Sequence, residues 1–200
     1  LVDRLRSVIL NPTWTVPYSI LVKDKLPVLR ENPNAIYDWK MKVINDLTGR
    51  EVDPSSINWR NVSTSNLHYT LIQVPGAHNA LGLVKFPMTN AYAIYLHDTN
   101  ARELFVEDQR QLSSGCVRLA MPFEFAEKTI RDPGLWNVAS ITNFTSMQAV
   151  APTIVQFKRK IPVYLMYTTI EQDASGRIIS RPDSYSIDKA HYAAIKKFID

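Results

Sequence analysis

Leu67-His68-Tyr69-Thr70-Leu71-Ile72-Gln73-Val74, stopped by Pro75-Gly76, is the stretch on which the fold turns. Its period of two and its β-branched and aromatic content read as a strand, and a strand-like rhythm persists after it. Leu83-Val84-Lys85-Phe86 is a short strand ended by Pro87. Tyr92-Ala93-Ile94-Tyr95-Leu96 is another, followed by the turn His97-Asp98-Thr99-Asn100. Pro122 suits the first turn of a helix to about Arg131, closed by Pro133-Gly134. A second helix is predicted between about residues 136 and 148. Val163 to Ile170 reads as a strand, and Asp173-Ala174-Ser175-Gly176 as a hairpin turn into Arg177-Ile178-Ile179. The last dozen residues read as an amphipathic helix with Ala190, Tyr192, Ile195 and Phe198 as core contacts.

Upstream of Leu67 the chain has a different character. Residues 5 to 10 form a candidate first strand. Asn11 to Pro17, with Trp14 between Pro12 and Pro17, must be extended or turned. Ser19 is a candidate cap for a helix to about Glu31, ended by Asn32-Pro33. Residues 35 to 45 stay open between helix and strand. The region 17–66 is more helical and polar than the chain after Leu67. We expect it to be an inserted cap or lid subdomain, with fewer core contacts than the strands after Leu67. The fold class expected is a β-rich α+β domain over 1–200.

The chain has 200 residues, 46% of them hydrophobic and 21% charged, with 12 prolines against 6 glycines. That is enough for a real core, and the spread of aromatics argues against disorder. No window of about eighteen residues is continuously apolar, so no membrane-spanning helix is expected in it. It begins at Leu1 without a signal-peptide pattern, and we read it as a fragment of a longer protein. Twenty-three Lys and Arg against nineteen Asp and Glu give +4, too mild a surplus to demand a polyanion. The run Lys158-Arg159-Lys160 precedes an apolar stretch and reads as a strand-edge gatekeeper, so no nucleic-acid partner is expected. A single cysteine excludes an internal disulfide and any multi-cysteine metal site.

That cysteine stands in Ser113-Ser114-Gly115-Cys116-Val117-Arg118. Small polar residues and glycine before it describe a tight exposed loop, whereas a free cysteine is more usually a small buried hydrophobe. Backbone N–H groups of such a turn can hold an oxyanion. A cysteine nucleophile needs a base. Of four histidines, His97 ends a predicted strand and opens a turn, which is a suitable mount for a catalytic side chain. His68 reads as a strand residue, His78 as a loop residue able to line a site, and His191 as a surface residue of the last helix. No histidine forms an i, i+4 pair with another histidine or a carboxylate ligand set, so no metal site is expected.

Tyr95-Leu96-His97-Asp98-Thr99 followed by Ser113-Ser114-Gly115-Cys116-Val117-Arg118 resembles the signature of the L,D-transpeptidase (YkuD-type) family. That family writes a histidine, a loop, then Ser/Thr-His-Gly-Cys-hydrophobic-Arg/Asn. Ser114 stands where most members carry a second histidine. The large periplasmic YcbB-like subfamily has the same serine. It is also similar in Asn11-Pro12-Thr13-Trp14-Thr15-Val16-Pro17, in Pro75-Gly76-Ala77-His78-Asn79-Ala80-Leu81-Gly82 and in Lys85-Phe86. The resemblance implies a β-sandwich-like catalytic domain with a helical cap. It implies a peptidoglycan L,D-transpeptidase that works without a cofactor. Such an enzyme takes a donor tetrapeptide stem, releases D-alanine, and forms 3→3 cross-links with an acceptor stem. Carbapenems acylate such enzymes. The resemblance further implies a periplasmic site, an inner-membrane anchor outside this chain, and other cell-wall synthases as partners.

Roles can be given position by position. Cys116 is the nucleophile and His97 its base. Gly115 and Cys116 supply oxyanion donors, and Ser114 leaves His97 alone as base. Asp98 acts either through its main chain on His97, as a third triad carboxylate, or as a turn cap. Tyr95 looks into the same cleft as His97. Arg118 binds a stem carboxylate or holds the loop, and Asn79 lines the donor site or satisfies turn backbone. Trp14 closes the cleft or anchors the core. Two other readings stay open: a cysteine L,D-carboxypeptidase or endopeptidase with water as acceptor, and a non-catalytic wall-binding module.

Overall fold

The computed structural model describes residues 1–110, 112, 116–147 and 151–198. The chain divides into two compact units, Asp3–Val163 and Leu1–Val2 with Tyr164–Asp200. The elements in chain order are strands β1 (Val2–Leu10) and β2 (Trp14–Thr15), helices α1 (Tyr18–Ile20), α2 (Leu26–Glu31) and α3 (Ala35–Asp38), then strands β3 (Met41–Asn45), β4 (Arg50–Val52), β5 (Tyr69–Gln73), β6 (Val84–Phe86), β7 (Leu96–His97) and β8 (Val117–Arg118). Helices α4 (Pro122–Ile130) and α5 (Val138–Ser146) come next, then β9 (Thr153–Tyr164), β10 (Ile170–Gln172), β11 (Ile178–Ser180) and α6 (Ile187–Lys196).

The strands form a five-stranded sheet of order β8-β7-β6-β1-β9 and a four-stranded sheet of order β2-β5-β3-β4. The strand read from Leu67 lies inside the second sheet. Its Leu71 pairs with Val43 and its Gln73 with both Met41 and Trp14. The mixture of sheets and packed helices is the β-rich α+β class expected from the sequence.

The region 17–66 departs from the expectation of sparse core contacts. It provides Leu21, Leu26, Leu29, Ile36, Met41, Val43, Trp59 and Val62, which with Val16 and Leu71 form one buried hydrophobic cluster. Trp59 is buried and donates its indole N–H to the Pro54 carbonyl at 3.2 Å, so its polar edge is satisfied. Arg30 clamps the Val62 carbonyl at 2.6 Å. The polar look of the sequence came from the outer faces of short elements whose inner faces carry one or two large apolar residues each.

Ser19 does not cap the first helix. The helical run starts at Tyr18 behind Pro17 and widens into a π-turn over Leu21–Lys25. Pro27 explains the widening, since it has no N–H to give and its ring crowds the preceding turn. The strand expected at Val163–Ile170 instead occupies Thr153–Tyr164, and Lys158-Arg159-Lys160 lies within it, exposed. β9 is an outer strand, which tolerates Pro162 and carries the charges that discourage edge pairing. In the smaller unit, β10 and β11 form the expected hairpin. The last helix forms, but Ala190, Tyr192, Ile195 and Phe198 are exposed and make no core contact. Its apolar stripe satisfied helix periodicity without a partner surface among the described residues of its unit.

Candidate active site

Asp98 explains why the turn after β7 is rigid. Its carboxylate is 1% exposed, accepts the Leu83 N–H at 2.9 Å and pairs with Arg102 at 2.8 Å. Gly82 makes room for it. A Cβ there would lie 2.4 Å from the Asp98 Cγ and Oδ2, and the backbone sits at φ +61. A Cβ has no room there without displacing the carboxylate, and the left-handed backbone would strain an L side chain as well. Both carboxylate oxygens are therefore spent on the loop, which overturns Asp98 as a third triad carboxylate. Its main-chain carbonyl does the other work. His97 Nδ1 makes a very short hydrogen bond to it. A carbonyl only accepts, so Nδ1 carries the proton and Nε2 is left as the basic nitrogen.

His97 is buried. Burial holds its pKa below the ordinary histidine value, and the Arg118 charge pushes the same way; the Asp98 and Cys116 backbones oppose them. Arg118 is placed by register, because β7 and β8 run parallel with His97 opposite Arg118 and Leu96 opposite Val117. The Leu119 N–H donates to the His97 carbonyl at 2.8 Å and extends the ladder. One residue back, the same register sets Cys116 beside Tyr95. The strand expected at Tyr92–Leu96 is shorter than read. It begins at Leu96, since Asn90 binds the Ile94 N–H and carbonyl and Ala93 takes φ +55.

Tyr95 ties the site together. Its ring meets that of His97 edge-on at 5.7 Å. Its hydroxyl interacts with the Cys116 sulfur and the Trp14 indole. Burial, then the charge and hydrogen bond of Cys116, push its phenol up to about 12. Cys116 Sγ also contacts the Ala93 carbonyl at 3.6 Å. Trp14 is half-buried, packs on the cluster of the 17–66 region, and so joins that cluster to Tyr95.

Asn79 belongs to the loop and not to the cleft. It is fully buried, its Nδ2 donates to the carbonyls of Pro12 and Val74 at 3.1 and 2.9 Å, and its Oδ1 accepts from Leu81. No atom is left to offer a ligand. Arg118 differs, because its Nε is buried without a hydrogen-bond partner. His68, His78 and His191 are exposed. Ser114 and Gly115, given oxyanion and loop roles, lie outside the described residues. Among the described residues no group of three His, Cys, Asp or Glu side chains gathers to hold a metal.

Lys85, noted in the sequence only as part of a resemblance, was given no role there. It pairs with His97 across β6 and β7, and its Nζ sits 4.0 Å over the Tyr95 ring. Only the cross-strand register reveals it. The available signal was a charge between Val84 and Phe86, the two core residues of the same strand.

Comparison with known proteins settles the lineage. The family model of the YkuD L,D-transpeptidase catalytic domain matches residues 1–133. The chain belongs to the YkuD family. A protein of Haemophilus influenzae named "Putative L,D-transpeptidase" is 34% identical over 187 residues, covering 94% of this chain and 37% of that protein. The chain thus spans little more than a third of that relative's length. The YkuD match contains β1 to β8 and α4, and so holds every residue of the Tyr95–His97–Cys116 arrangement.

Proposed function

We propose that this domain is a peptidoglycan L,D-transpeptidase acting through a Cys116 thioester. The observation that carries the reading is the placement of Cys116 beside Tyr95 and His97 across a parallel strand pair, with the His97 Nδ1 proton engaged by the Asp98 carbonyl. Family membership supports the reaction class. Neutral His97 takes the Cys116 proton through Nε2 as the sulfur attacks the carbonyl of the third stem residue. The C–N bond to the terminal D-alanine breaks, and the imidazolium returns the proton to the departing amine. His97, neutral again, then takes a proton from the side-chain amine of a second stem as that nitrogen attacks the thioester. An amide forms, the thiol is regenerated, and the product is a 3→3 cross-link.

Arg118, with its unpartnered Nε, is the group proposed to meet a stem carboxylate. Carbapenems, as donor mimics, would acylate Cys116 by the same first step. The substrate lies in the bacterial wall, so the proposed location is periplasmic. The 17–66 region, joined to Tyr95 through Trp14, is proposed as a cap over the cleft, firm because it has its own core.

Intact-protein mass spectrometry with a carbapenem and with a tetrapeptide stem tests this reading. One covalent adduct is expected with the carbapenem, with D-alanine release and a cross-linked dimer from the stem. D-alanine release without a dimer would show hydrolysis with water as acceptor. No adduct with either reagent would leave a wall-binding role.

A further inference from the structure

Lys85 has no assigned task, and its surroundings are unusual for a lysine. It lies between Val84 and Phe86, both fully buried, on the opposite face of β6 and directly across from His97. Its ammonium is half-buried over the Tyr95 ring, with Nζ 4.0 Å from the ring centre. Among the described residues no carboxylate pairs with it. Asp98, the acid adjoining its cross-strand partner, is turned away and spent on Leu83 and Arg102. A half-buried cation on an aromatic face gains from the ring but remains short of a counter-ion.

The groups facing Lys85 are Tyr95 and His97, with Cys116 and Arg118 beyond them. Tyr95 is held neutral, and His97 and Arg118 bring no negative charge. Cys116 is the one group there that becomes an anion during the proposed reaction. His97 is poorly suited to balance that anion as a standing imidazolium, because it is buried and has Arg118 on its far side. Burial lowers the Lys85 pKa and the Cys116 charge raises it, which agrees with the same pairing.

We propose that Lys85 is a positioning residue that holds Tyr95 against Cys116 from above and supplies the positive charge that balances the Cys116 thiolate. This rests on the reading of Cys116 as nucleophile. The Tyr95 hydroxyl then donates to the sulfur, the ammonium stands behind the ring, and the proton that leaves Cys116 is carried by His97 only until the departing amine takes it.

Cys116 is the only cysteine, so alkylation of the intact chain reports on one sulfur. The test compares wild type, Lys85→Met and Lys85→Arg, each checked for an unchanged circular dichroism spectrum. Lys85→Gln replaces the methionine variant if that fails to fold. Rates with iodoacetamide and with anionic iodoacetate are tracked by intact mass from pH 6 to 10. Lys85→Met is expected to react roughly tenfold more slowly with iodoacetamide at pH 7, with the deficit closing as pH rises. Its preference for iodoacetate over iodoacetamide should fall as well. Lys85→Arg, which keeps charge and ring contact, should recover both. A Lys85→Met profile superimposed on wild type would overturn the proposal, and would point instead to a substrate carboxylate as the partner of Lys85. An arginine variant as slow as the methionine variant would also overturn it. Alkylation needs no peptidoglycan, so failure of the transpeptidase reading shows separately, as a lack of adduct with stem and carbapenem.

Discussion

Replacing Gly82 by alanine asks whether the Asp98 clamp sets the base. Gly49 provides the control, since both glycines have nearly the same backbone, φ +61 and φ +67. A Cβ at Gly49 meets nothing within 4 Å, so Gly49→Ala carries only the left-handed penalty, about 1 kcal/mol. A Cβ at Gly82 would stand 2.4 Å from the Asp98 carboxylate, which is buried and unable to swing into solvent. Relief requires giving up the charge-assisted bond from Leu83, about 1.5–3 kcal/mol. The Arg102 pair adds little, because that guanidinium is half exposed. The total is about 2.5–4 kcal/mol, or roughly 5–16 °C of melting temperature in a unit of this size, against about 2–4 °C for Gly49→Ala. The same displacement drags the Asp98 carbonyl from His97 Nδ1. Gly82→Ala should therefore lose at least about tenfold in carbapenem acylation rate below its melting point, while Gly49→Ala keeps the wild-type rate. Thermal melts and time-resolved intact mass read both effects. If Gly82→Ala is as mild as Gly49→Ala in both, the clamp does not hold the histidine and the reasoning fails.

Cys116→Ala should form no acyl adduct and melt at the wild-type temperature; an adduct on the alanine protein would place the nucleophile elsewhere. His97→Ala should slow acylation by at least about a hundredfold, with exposed His68→Ala and His191→Ala unchanged, and equal losses for His191→Ala would refute the assignment. Because burial lowers the His97 pKa, the base is lost only when pH falls below the ordinary histidine range; an acid limb at or above that range in the acylation profile would contradict a buried His97. Amides of α2 and β3 should exchange as slowly as those of β5, before and after acylation, because all three build one core; fast exchange confined to 17–66 would show a loose flap in place of a packed subdomain.

What the sequence disclosed tracks how local each cause is. The strand at Tyr69–Gln73, the Pro122 helix and the Asp173–Gly176 hairpin are fixed by residues next to one another, and they appear within a few positions of where they were read. His97 and Cys116 stood out as candidates because histidine and cysteine are rare in this chain. Asn79 was ambiguous until its partners were visible, and those partners include Pro12, far away in sequence. The core role of 17–66 was hidden for a similar reason. Each of its short elements contributes one or two apolar residues, and only the pairing of β3 with β5 sums them into a cluster. Lys85 needed a cross-strand register, which no local pattern contains.

The spacing of the signature has a physical origin in this topology. His97 and Cys116 meet through a parallel pair, and parallel neighbours cannot be joined by a tight hairpin. The chain must leave β7, travel away and return in the same direction before it can present Cys116. The Asp98 clamp and the 3₁₀ turn Arg102–Val106 begin that excursion, and Arg102 is anchored back to Asp98 as it starts. A shorter link would force an antiparallel return and reverse the register that sets Cys116 beside Tyr95 and Arg118 beside His97. The interval of 19 positions between His97 and Cys116 is long enough for that parallel return, which a tight turn is not.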